Sequence, residues 1–336
     1  MLFNKKPTLY FQFLEKRVRY IAVDHATHTI IEKDDIIFET NIMKDGNITD
    51  ASLIENRLKA FLTEKKWKNT KASLILPEDH VSLKEEKIPA QLEGEEIRDY
   101  LNLHINHSIR VPYKNTMFHY EILEKDDTNQ LAIMMIYSED TAKELESLLE
   151  KVSLKPIAAD ISYLALYRIL ASQDKVEPND ERHIIILQWN LEDIVISVFH
   201  KGIPRFSRRS RRGHGDETWK LSDDGNLTWT KDPEILEEII QDKMNVLERF
   251  LEFYRYSVLL DGGGVSDIYL TGEMPYLDDI QERLEKRFYL NIHKMNIADD
   301  LESKYLLLYG VSLRSSKPSI LKKKQEEHKK GVSSHV

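Results

Sequence analysis

The stretch HIIILQWNLEDIVISVF, residues 183–199, has two apolar runs on either side of a short polar segment. This pattern predicts two strands joined in a hairpin, with the turn at Gln188 to Glu192. Tight hairpin turns usually contain Asn-Gly, Asp-Gly or another glycine, because their central residues take positive φ. This turn has no glycine. We therefore interpret it as a functional tip that has lost its original residues and has been kept for the fold.

A similar arrangement occurs near the start of the chain. Residues 8–24, TLYFQFLEKRVRYIAVD, read as strand, charged turn and strand, and residues 30–38 as a third strand. Residues 183–208 repeat this order, and helices and further strands follow each copy. A helical period predicts a long helix from about Glu234 to Leu259. The repeated order of elements predicts two related α/β domains.

The composition limits the possible functions. The 336 residues are 41% hydrophobic and 31% charged with a net charge of −9, which is typical of an ordinary globular protein and not of a dedicated nucleic-acid binder. Without cysteine the chain can form no disulfide, thiolate metal site or cysteine nucleophile. No run reaches the roughly 18 apolar residues of a membrane span, so we expect a cytoplasmic protein.

Several stretches carry a resemblance to a known family, and they span about Pro7 to Arg314. In chain order they are SLILPEDHVSLKEEKIP (73–89), VPYKNTMFHYEIL (111–123), SLKPIAADISYLALYR (153–168), GIPRFSR (202–208), VLERFLEFYR (246–255), IYLTG (268–272) and YLLLYGVSLR (305–314). Their order resembles that of the PilM family, the FtsA-related, actin-like proteins of type IV pilus assembly. The resemblance implies an α/β fold, the two-domain actin-like ATPase fold.

The resemblance also implies a domain organisation. Residues 1–172 would form the first actin-like half, with an inserted subdomain at about 71–137. Residues 181–314 would form the second half, whose own extra subdomain is shortened here to about twenty polar residues. The lysine-rich segment 315–336 is expected to be a disordered basic tail.

In this fold the two hairpin tips hold the nucleotide phosphates, with an Asp near magnesium and glycines whose N–H groups approach the phosphate oxygens. Here Gln12 and Leu14 stand where the resemblance places Asp and Gly in the first tip, and Gln188 and Asn190 replace Asp and Gly in the second. The degenerate nucleotide site implied by the resemblance consists of Gln12, Leu14, Arg19, Gln188, Asn190, Gly272 and Glu273.

These replacements weaken the site to different degrees. Asn190 tolerates the left-handed region, so the second turn could keep its shape, whereas Leu14 disfavours positive φ and fills phosphate space. The glutamines carry no charge for magnesium, and Glu273 adds a negative charge beside the retained Gly272. We therefore expect no cofactor and no catalytic residue. A functional site for ATP and magnesium is the alternative.

Three other motifs have ordinary structural explanations. The arginine run at 205–212 could bind phosphate, anionic lipid or DNA, but a solvated strand edge is favoured because acidic sequence follows it. His104 and His107 lie three apart on a predicted helix, yet a third ligand is missing, so packing or surface roles are favoured over a metal site. The glycines at 262–264 precede a strand, which excludes a dinucleotide loop.

The resemblance implies a function in type IV pilus or competence pilus assembly. The chain would be a scaffold at the inner face of the cell membrane that binds the cytoplasmic N-terminal peptide of a PilN-like bitopic membrane protein. Other partners would be the pilus assembly ATPase, platform proteins or further copies of the chain; nucleic acid is not expected. The candidate peptide-binding residues, equally explicable as core, are Leu76, Pro77, Ile88, Pro89, Leu101 and Ile105. The alternatives are an ATPase that drives assembly or filament formation, and a DNA-uptake adaptor that uses the arginine run.

Overall fold

A computed structural model of the protein describes residues 6–24, 26–105, 107–211, 219–221, 227–259, 264–297 and 301–315. The predicted basic tail from residue 316 onward lies outside these ranges, as do Arg212 and most of the polar segment that follows it.

The first sheet has five strands in the order β10-β6-β1-β2-β3. Three antiparallel strands form a meander, and two strands parallel to β1 extend it on the other side. The strands are β1 (Thr8–Phe13), β2 (Arg17–Val23), β3 (Ile30–Ile37), β6 (Lys71–Ile75) and β10 (Lys155–Asp160), and a small hairpin of β4 (Met43–Lys44) and β5 (Asn47–Ile48) precedes β6.

The second sheet repeats this topology in the order β13-β12-β11-β16-β17. Its antiparallel meander is likewise extended by two parallel strands. The strands are β11 (His183–Trp189), β12 (Asp193–His200), β13 (Ile203–Arg211), β16 (Val265–Thr271) and β17 (Asn291–Lys294), and a hairpin of β14 (Trp219–Leu221) and β15 (Leu227–Trp229) follows β13. The repeated order places β1 and β11 at equivalent positions.

An inserted antiparallel sheet of three strands, ordered β7-β9-β8, follows β6. It consists of β7 (Val81–Pro89), β8 (Thr116–Lys125) and β9 (Asn129–Ser138), with helix α2 (Glu95–His104) against it. The insertion therefore begins later than the expected residue 71, since Lys71–Ile75 pairs within the first sheet. Helix α2 ends at His104, because the chain becomes extended at Ile105, so the helix predicted to carry both His104 and His107 does not include His107.

Local sequence explains where several helices begin. Asp50 accepts a hydrogen bond from the N–H of Leu53 at the start of α1 (Ala51–Glu64), and Ser138 caps α3 (Glu139–Lys151) in the same way. Asp232 caps α5 (Pro233–Phe253), which begins with proline in its first turn. Helix α5 ends earlier than the predicted residue 259, in a π-helical turn at Tyr254–Val258.

Two helices separate the sheets. Helices α4 (Ser162–Ser172) and α7 (Ser303–Ser312) share one apolar core with both sheets, to which Ile21 of β2 and Ile186 of β11 contribute. Helices α1 and α3 cover the outer face of the first sheet, while α5 and α6 (Leu277–Arg287) cover the second. This layering faces the two hairpins toward one another across a cleft.

The crossing of α4 and α7 depends on a glycine. A Cβ added at Gly310 would lie 2.2 Å from the carbonyl oxygen of Ala165. Only a residue without a side chain therefore allows the two helices to approach this closely. The Arg168 guanidinium strengthens the crossing by donating to the Gly310 carbonyl at 2.7 Å.

Candidate functional site

The cleft between the two halves contains a cavity of about 130 Å³. It is lined by residues from both hairpin tips, from the segment after β6 and from the segment after β16. All seven residues predicted for the degenerate nucleotide site lie around it: Gln12, Leu14, Arg19, Gln188, Asn190, Gly272 and Glu273. The structure therefore brings together side chains up to 261 positions apart in the sequence.

The two tips have the same backbone geometry. The Leu14 N–H donates to the Arg17 carbonyl at 2.9 Å, and the Asn190 N–H donates to the Asp193 carbonyl at 3.0 Å. Among the described residues with positive φ, none lies in either tip. The expectation that these turns require a left-handed residue is therefore wrong. They close with negative φ throughout, which is why neither needs a glycine.

A four-residue ion-pair network lies at the first tip. The Arg19 guanidinium donates to both carboxylate oxygens of Asp35, at 2.8 and 2.9 Å. Glu273 comes from the opposite half, and its Oε2 lies 2.7 Å from Arg17 and 3.1 Å from Arg19. The Arg19 side chain is only 2% exposed and that of Glu273 10%. Glu273 thus joins the two halves at the predicted degenerate nucleotide site.

The charges in this network stabilise one another. Burial alone would raise the pKa of the Asp35 and Glu273 carboxyl groups, but the arginines beside them more than offset this effect. The pKa of each carboxyl group is therefore held below its ordinary value. Both side chains remain ionised at neutral pH, and the two positive and two negative charges balance.

Gly272 is retained for a packing reason. Its φ is +134°, and an added Cβ would lie 2.2 Å from the Trp189 carbonyl oxygen. The Gly272 N–H donates to the Ser303 hydroxyl at 3.1 Å, and the Met274 N–H donates to the Trp189 carbonyl at 3.2 Å. These contacts fix the backbone on both sides of Glu273 and set the direction of its side chain.

The second tip is supported from below by a buried lysine. The Lys243 ammonium donates to the Asn190 carbonyl at 2.6 Å and to the Leu191 carbonyl at 2.9 Å. The Asn190 side-chain amide donates to Asp193 at 2.8 Å. Burial lowers the pKa of Lys243 to about 8. The sequence carries a signal for this residue, since Lys243 interrupts the apolar face formed by Ile240 and Leu247.

A polar chain crosses the cleft beneath the tips. The Gln188 amide donates to the Ser162 hydroxyl at 2.9 Å, and that hydroxyl donates to the Glu78 carboxylate. Burial raises the pKa of Glu78 to about 7, although Ser162 and Arg209 favour its charged form. Glu78 was not predicted from the sequence.

The arginine run forms a second link between the halves. Arg205 lies 3.3 Å from Glu85 of the insertion, Arg211 lies 2.6 Å from Asp45, and Arg209 bridges Asp79 and Asp193. Strand β13 is the edge strand that the favoured interpretation expected, and Arg211 is exposed, but Arg205 and Arg209 are largely shielded from solvent and all three arginines are paired with carboxylates. Arg209 and Arg211 lie two residues apart and so share one face of β13, a signal that the sequence offered. Arg208 is exposed.

The donor set suits magnesium and a triphosphate poorly. The cavity acids Asp79 and Asp193 are paired with Arg209, and Glu273 is paired with Arg17 and Arg19. A hard divalent cation requires oxygen ligands that are free to coordinate it. In the described ranges, no group of three or more His, Asp or Glu side chains is arranged to hold a metal ion.

The predicted peptide-binding residues do not form an accessible groove. Ile88 and Leu101 are completely buried, and Ile105 is 6% exposed, in the core of the insertion. Leu76 belongs to the core of the first half, while Pro77 lines the central cavity and Pro89 is half-buried. The assignment of the buried four as groove lining is therefore wrong, and the alternative interpretation as core is correct.

The histidine pair is explained by packing. The His104 ring stacks on Tyr100 with a centroid distance of 3.9 Å, and its Nδ1 lies 2.7 Å from the Tyr100 carbonyl oxygen. His107 is exposed. Of the glycine run, residues 262 and 263 lie outside the described ranges, and Gly264 directly precedes β16. Neither motif adds a residue to the cleft.

Comparison with known proteins provides a family and a fold. A family model described as type IV pilus assembly protein PilM matches residues 18–307. A solved structure described as the PilM-PilN type IV pilus biogenesis complex is 14% identical, with a TM-score of 0.73 over 93% of this chain and 99% of that one. The expected fold class, a two-domain actin-like ATPase fold, is confirmed.

More distant structures also match. MreB5 of Spiroplasma citri bound to ADP is 9% identical, with a TM-score of 0.49 over 93% of this chain and 97% of that one. The ethanolamine utilization protein EutJ from Carboxydothermus hydrogenoformans is 11% identical, with a TM-score of 0.49 over 91% and 88%. No curated protein is significantly similar in sequence. Within the described residues, every helix is too short or too polar to cross a membrane.

Proposed function

Because the chain belongs to the PilM family of type IV pilus assembly proteins, we propose that it is a non-catalytic, actin-like scaffold at the cytoplasmic face of the inner membrane. It binds the cytoplasmic N-terminal peptide of a PilN-like bitopic membrane protein and couples that protein to the rest of the pilus or competence machinery. Its nucleotide site is degenerate, and ion pairs between side chains join its two halves across the cleft.

One observation carries the non-catalytic part of this proposal. In the cleft, Glu273 pairs with Arg17 and Arg19 at 2.7 and 3.1 Å, where an actin-like ATPase would hold phosphate. A phosphate would meet a carboxylate there, and like charges at short distance in a poorly solvated site are strongly unfavourable. The same side chains join the two halves, so nucleotide is not needed for that purpose.

Support for the partner comes from the family and from an available strand edge. A peptide that binds in extended conformation uses main-chain hydrogen bonds at an exposed edge and side-chain contacts for specificity. Strand β8 lies at the edge of the inserted sheet, and its Met117 is 46% exposed. We place the peptide at this edge, instead of at the buried residues that the sequence suggested.

The peptide test uses a fluorescent peptide that copies the cytoplasmic N-terminal segment of the PilN-like protein from the same organism. We expect saturable binding by fluorescence anisotropy, weakened at least tenfold by Met117→Asp. Leu103→Asp is the matched control, because Leu103 is an exposed apolar residue on α2. Absence of binding by the unmodified protein would contradict the partner. Equal weakening by both variants would contradict the location.

The alternative is an ATPase that drives assembly or filament formation. The convergence of both hairpin tips and Gly272 on one cavity favours it. Thermal unfolding with and without millimolar Mg-ATP separates the two functions, because a ligand at about 100 times its Kd adds roughly 2.7 kcal/mol to the stability. The scaffold predicts an unchanged midpoint. A rise of a few degrees would favour the ATPase and call for a hydrolysis assay.

A further inference from the structure

We propose that Glu273 is a built-in anion: its carboxylate occupies an anion-binding position formed by Arg17 and Arg19, and its removal exposes a site for inorganic phosphate. This inference goes beyond the pilus role, since it depends only on the ion-pair geometry of the cleft. In the intact chain, the Glu273 carboxylate fills the anion-binding position of the two arginines, so no external anion binds there.

The geometry of the arginines is that of an anion-binding pair. Arg17 and Arg19 lie two residues apart on β2, so both side chains point to the same side of the sheet. Their terminal nitrogens converge on a single oxygen, the Oε2 of Glu273, at 2.7 and 3.1 Å. The planar guanidinium fork also donates to phosphate oxygens, which like carboxylate oxygens are negatively charged acceptors.

The carboxylate is delivered from the opposite half by a rigid segment. Gly272 packs against the Trp189 backbone with no room for a Cβ, and the Met274 N–H is bonded to the Trp189 carbonyl. The residue between them can therefore vary little in position. Glu273 acts as a tethered ligand whose local concentration at the arginines far exceeds that of phosphate in solution.

The charges around Glu273 show what the loss of its carboxylate would do. Arg17 and Arg19 supply two positive charges, and Asp35 and Glu273 supply two negative ones. Asp35 already accepts two hydrogen bonds from Arg19. Removal of the Glu273 carboxylate leaves one net positive charge beside an Arg19 side chain that is only 2% exposed. An uncompensated charge at such a buried position is costly, so an anion that enters will be bound.

The test compares thermal unfolding in sodium phosphate and in sodium chloride of equal ionic strength. Glu273→Ala should show a midpoint about 2–4 °C higher in phosphate than in chloride. Phosphate stabilises folded proteins in general because it is excluded from their surface, so the unmodified protein should show only a smaller, general rise, and the effect of the site is the difference between the two proteins. Glu282→Ala, which removes an exposed carboxylate on α6, is the matched control and should behave like the unmodified protein. Adding Arg17→Gln to Glu273→Ala should abolish the phosphate effect.

Two results would overturn the proposal. One is a folded Glu273→Ala protein that phosphate stabilises no more than it stabilises the unmodified protein. The other is an equally large phosphate effect in Glu273→Ala with and without Arg17→Gln. If Glu273→Ala does not fold in chloride, phosphate should rescue its folding, and Glu273→Gln should gain a smaller phosphate effect. Failure of both would overturn the proposal as well. The peptide-binding test of the pilus role is separate from all of these outcomes.

Discussion

The two hairpin tips have the same backbone turn but are stabilised in different ways. At the β1–β2 tip, charged side chains reach across the cleft, and Glu273 of one half binds Arg17 and Arg19 of the other. At the β11–β12 tip, support comes from within the same half, where Lys243 donates to the carbonyls of Asn190 and Leu191. Ion pairs join the first tip to the opposite half, whereas the turn carbonyls of the second tip are held from within its own half, and its links to the first half run through Gln188 and Arg209.

This difference shows that tips with the same closing hydrogen bond can be held in place by different contacts. The hydrogen bond runs from Leu14 to Arg17 in one tip and from Asn190 to Asp193 in the other. At the predicted nucleotide site, Glu273 contacts Arg17 and Arg19, and the Asn190 side chain donates to Asp193. Removal of a cross-cleft contact should therefore affect how the two halves associate, whereas removal of an internal brace should affect only its own hairpin.

The largest effect is expected from Arg19→Met at the first tip. This change leaves the buried Glu273 and Asp35 carboxylates with Arg17 alone, and breaking a buried ion pair from one side costs about 3–5 kcal/mol. Chemical denaturation should show the loss in the free energy of unfolding, with Arg57→Met on the exposed face of α1 as control. A loss no larger than that of the control would mean that the network contributes little.

Gly272→Ala should cause the next largest loss in the free energy of unfolding, about 3 kcal/mol, because it combines a strained φ with an overpacked contact against Trp189. Alanine substitutions at two other glycines separate the effect of the strained φ from the effect of the close contact. Gly94 has a positive φ but open space around it, and Gly264 has neither constraint. The loss in the free energy of unfolding should therefore be smallest for Gly264→Ala, larger for Gly94→Ala and largest for Gly272→Ala. Equal losses at Gly94 and Gly272 would show that the Trp189 contact is unimportant.

Lys243→Met tests whether this lysine stabilises only the second tip. The change removes the donors of two turn carbonyls and should cost about 2 kcal/mol, partly offset because the charge no longer has to be buried. Hydrogen exchange should speed up at residues 189–194 and remain unchanged at residues 13–18. The exposed Lys286 provides the control variant, Lys286→Met. Faster exchange at both tips would contradict the view that this brace is local.

The smallest effect concerns Glu78, which lies between the tips. Its pKa of about 7 means that the folded state holds the proton more tightly than the unfolded state, so stability falls as the pH rises from about 5 to 8. Glu78→Gln cannot titrate and should gain about 1 kcal/mol relative to the unmodified protein over this range, after allowance for solvent screening. Parallel pH profiles of the two proteins would contradict the raised pKa.

Sequence patterns could predict the fold because its signals are local. Apolar runs and polar turns located both meanders and the hairpin turn in each of them. The convergence of both tips on one cleft followed from the family resemblance. The prediction of a peptide-binding groove took apolar residues as groove lining. Ile88, Leu101 and Ile105 are apolar because they form the core of the insertion.

The contacts that define the site could not be predicted in the same way. Arg17 and Glu273 are 256 positions apart, and no periodicity links a strand end to a loop in the other half. The pairing of Arg209 with Asp79 likewise requires the relative placement of the two sheets. Sequence spacing can show that arginines share a face of β13, but which carboxylates meet them is decided by tertiary structure.

The position of α7 between the sheets has a consequence for how the protein is made. Residues 303–312 leave the ribosome after every strand of the first sheet, yet Leu306 and Leu308 share a core with Tyr10 and Ile21 of that sheet. The N-terminal half therefore cannot complete its core during translation and must wait for the last helix. A nascent chain stalled before residue 303 would expose this apolar face to chaperones and proteases, so quality control would recognise the incomplete chain.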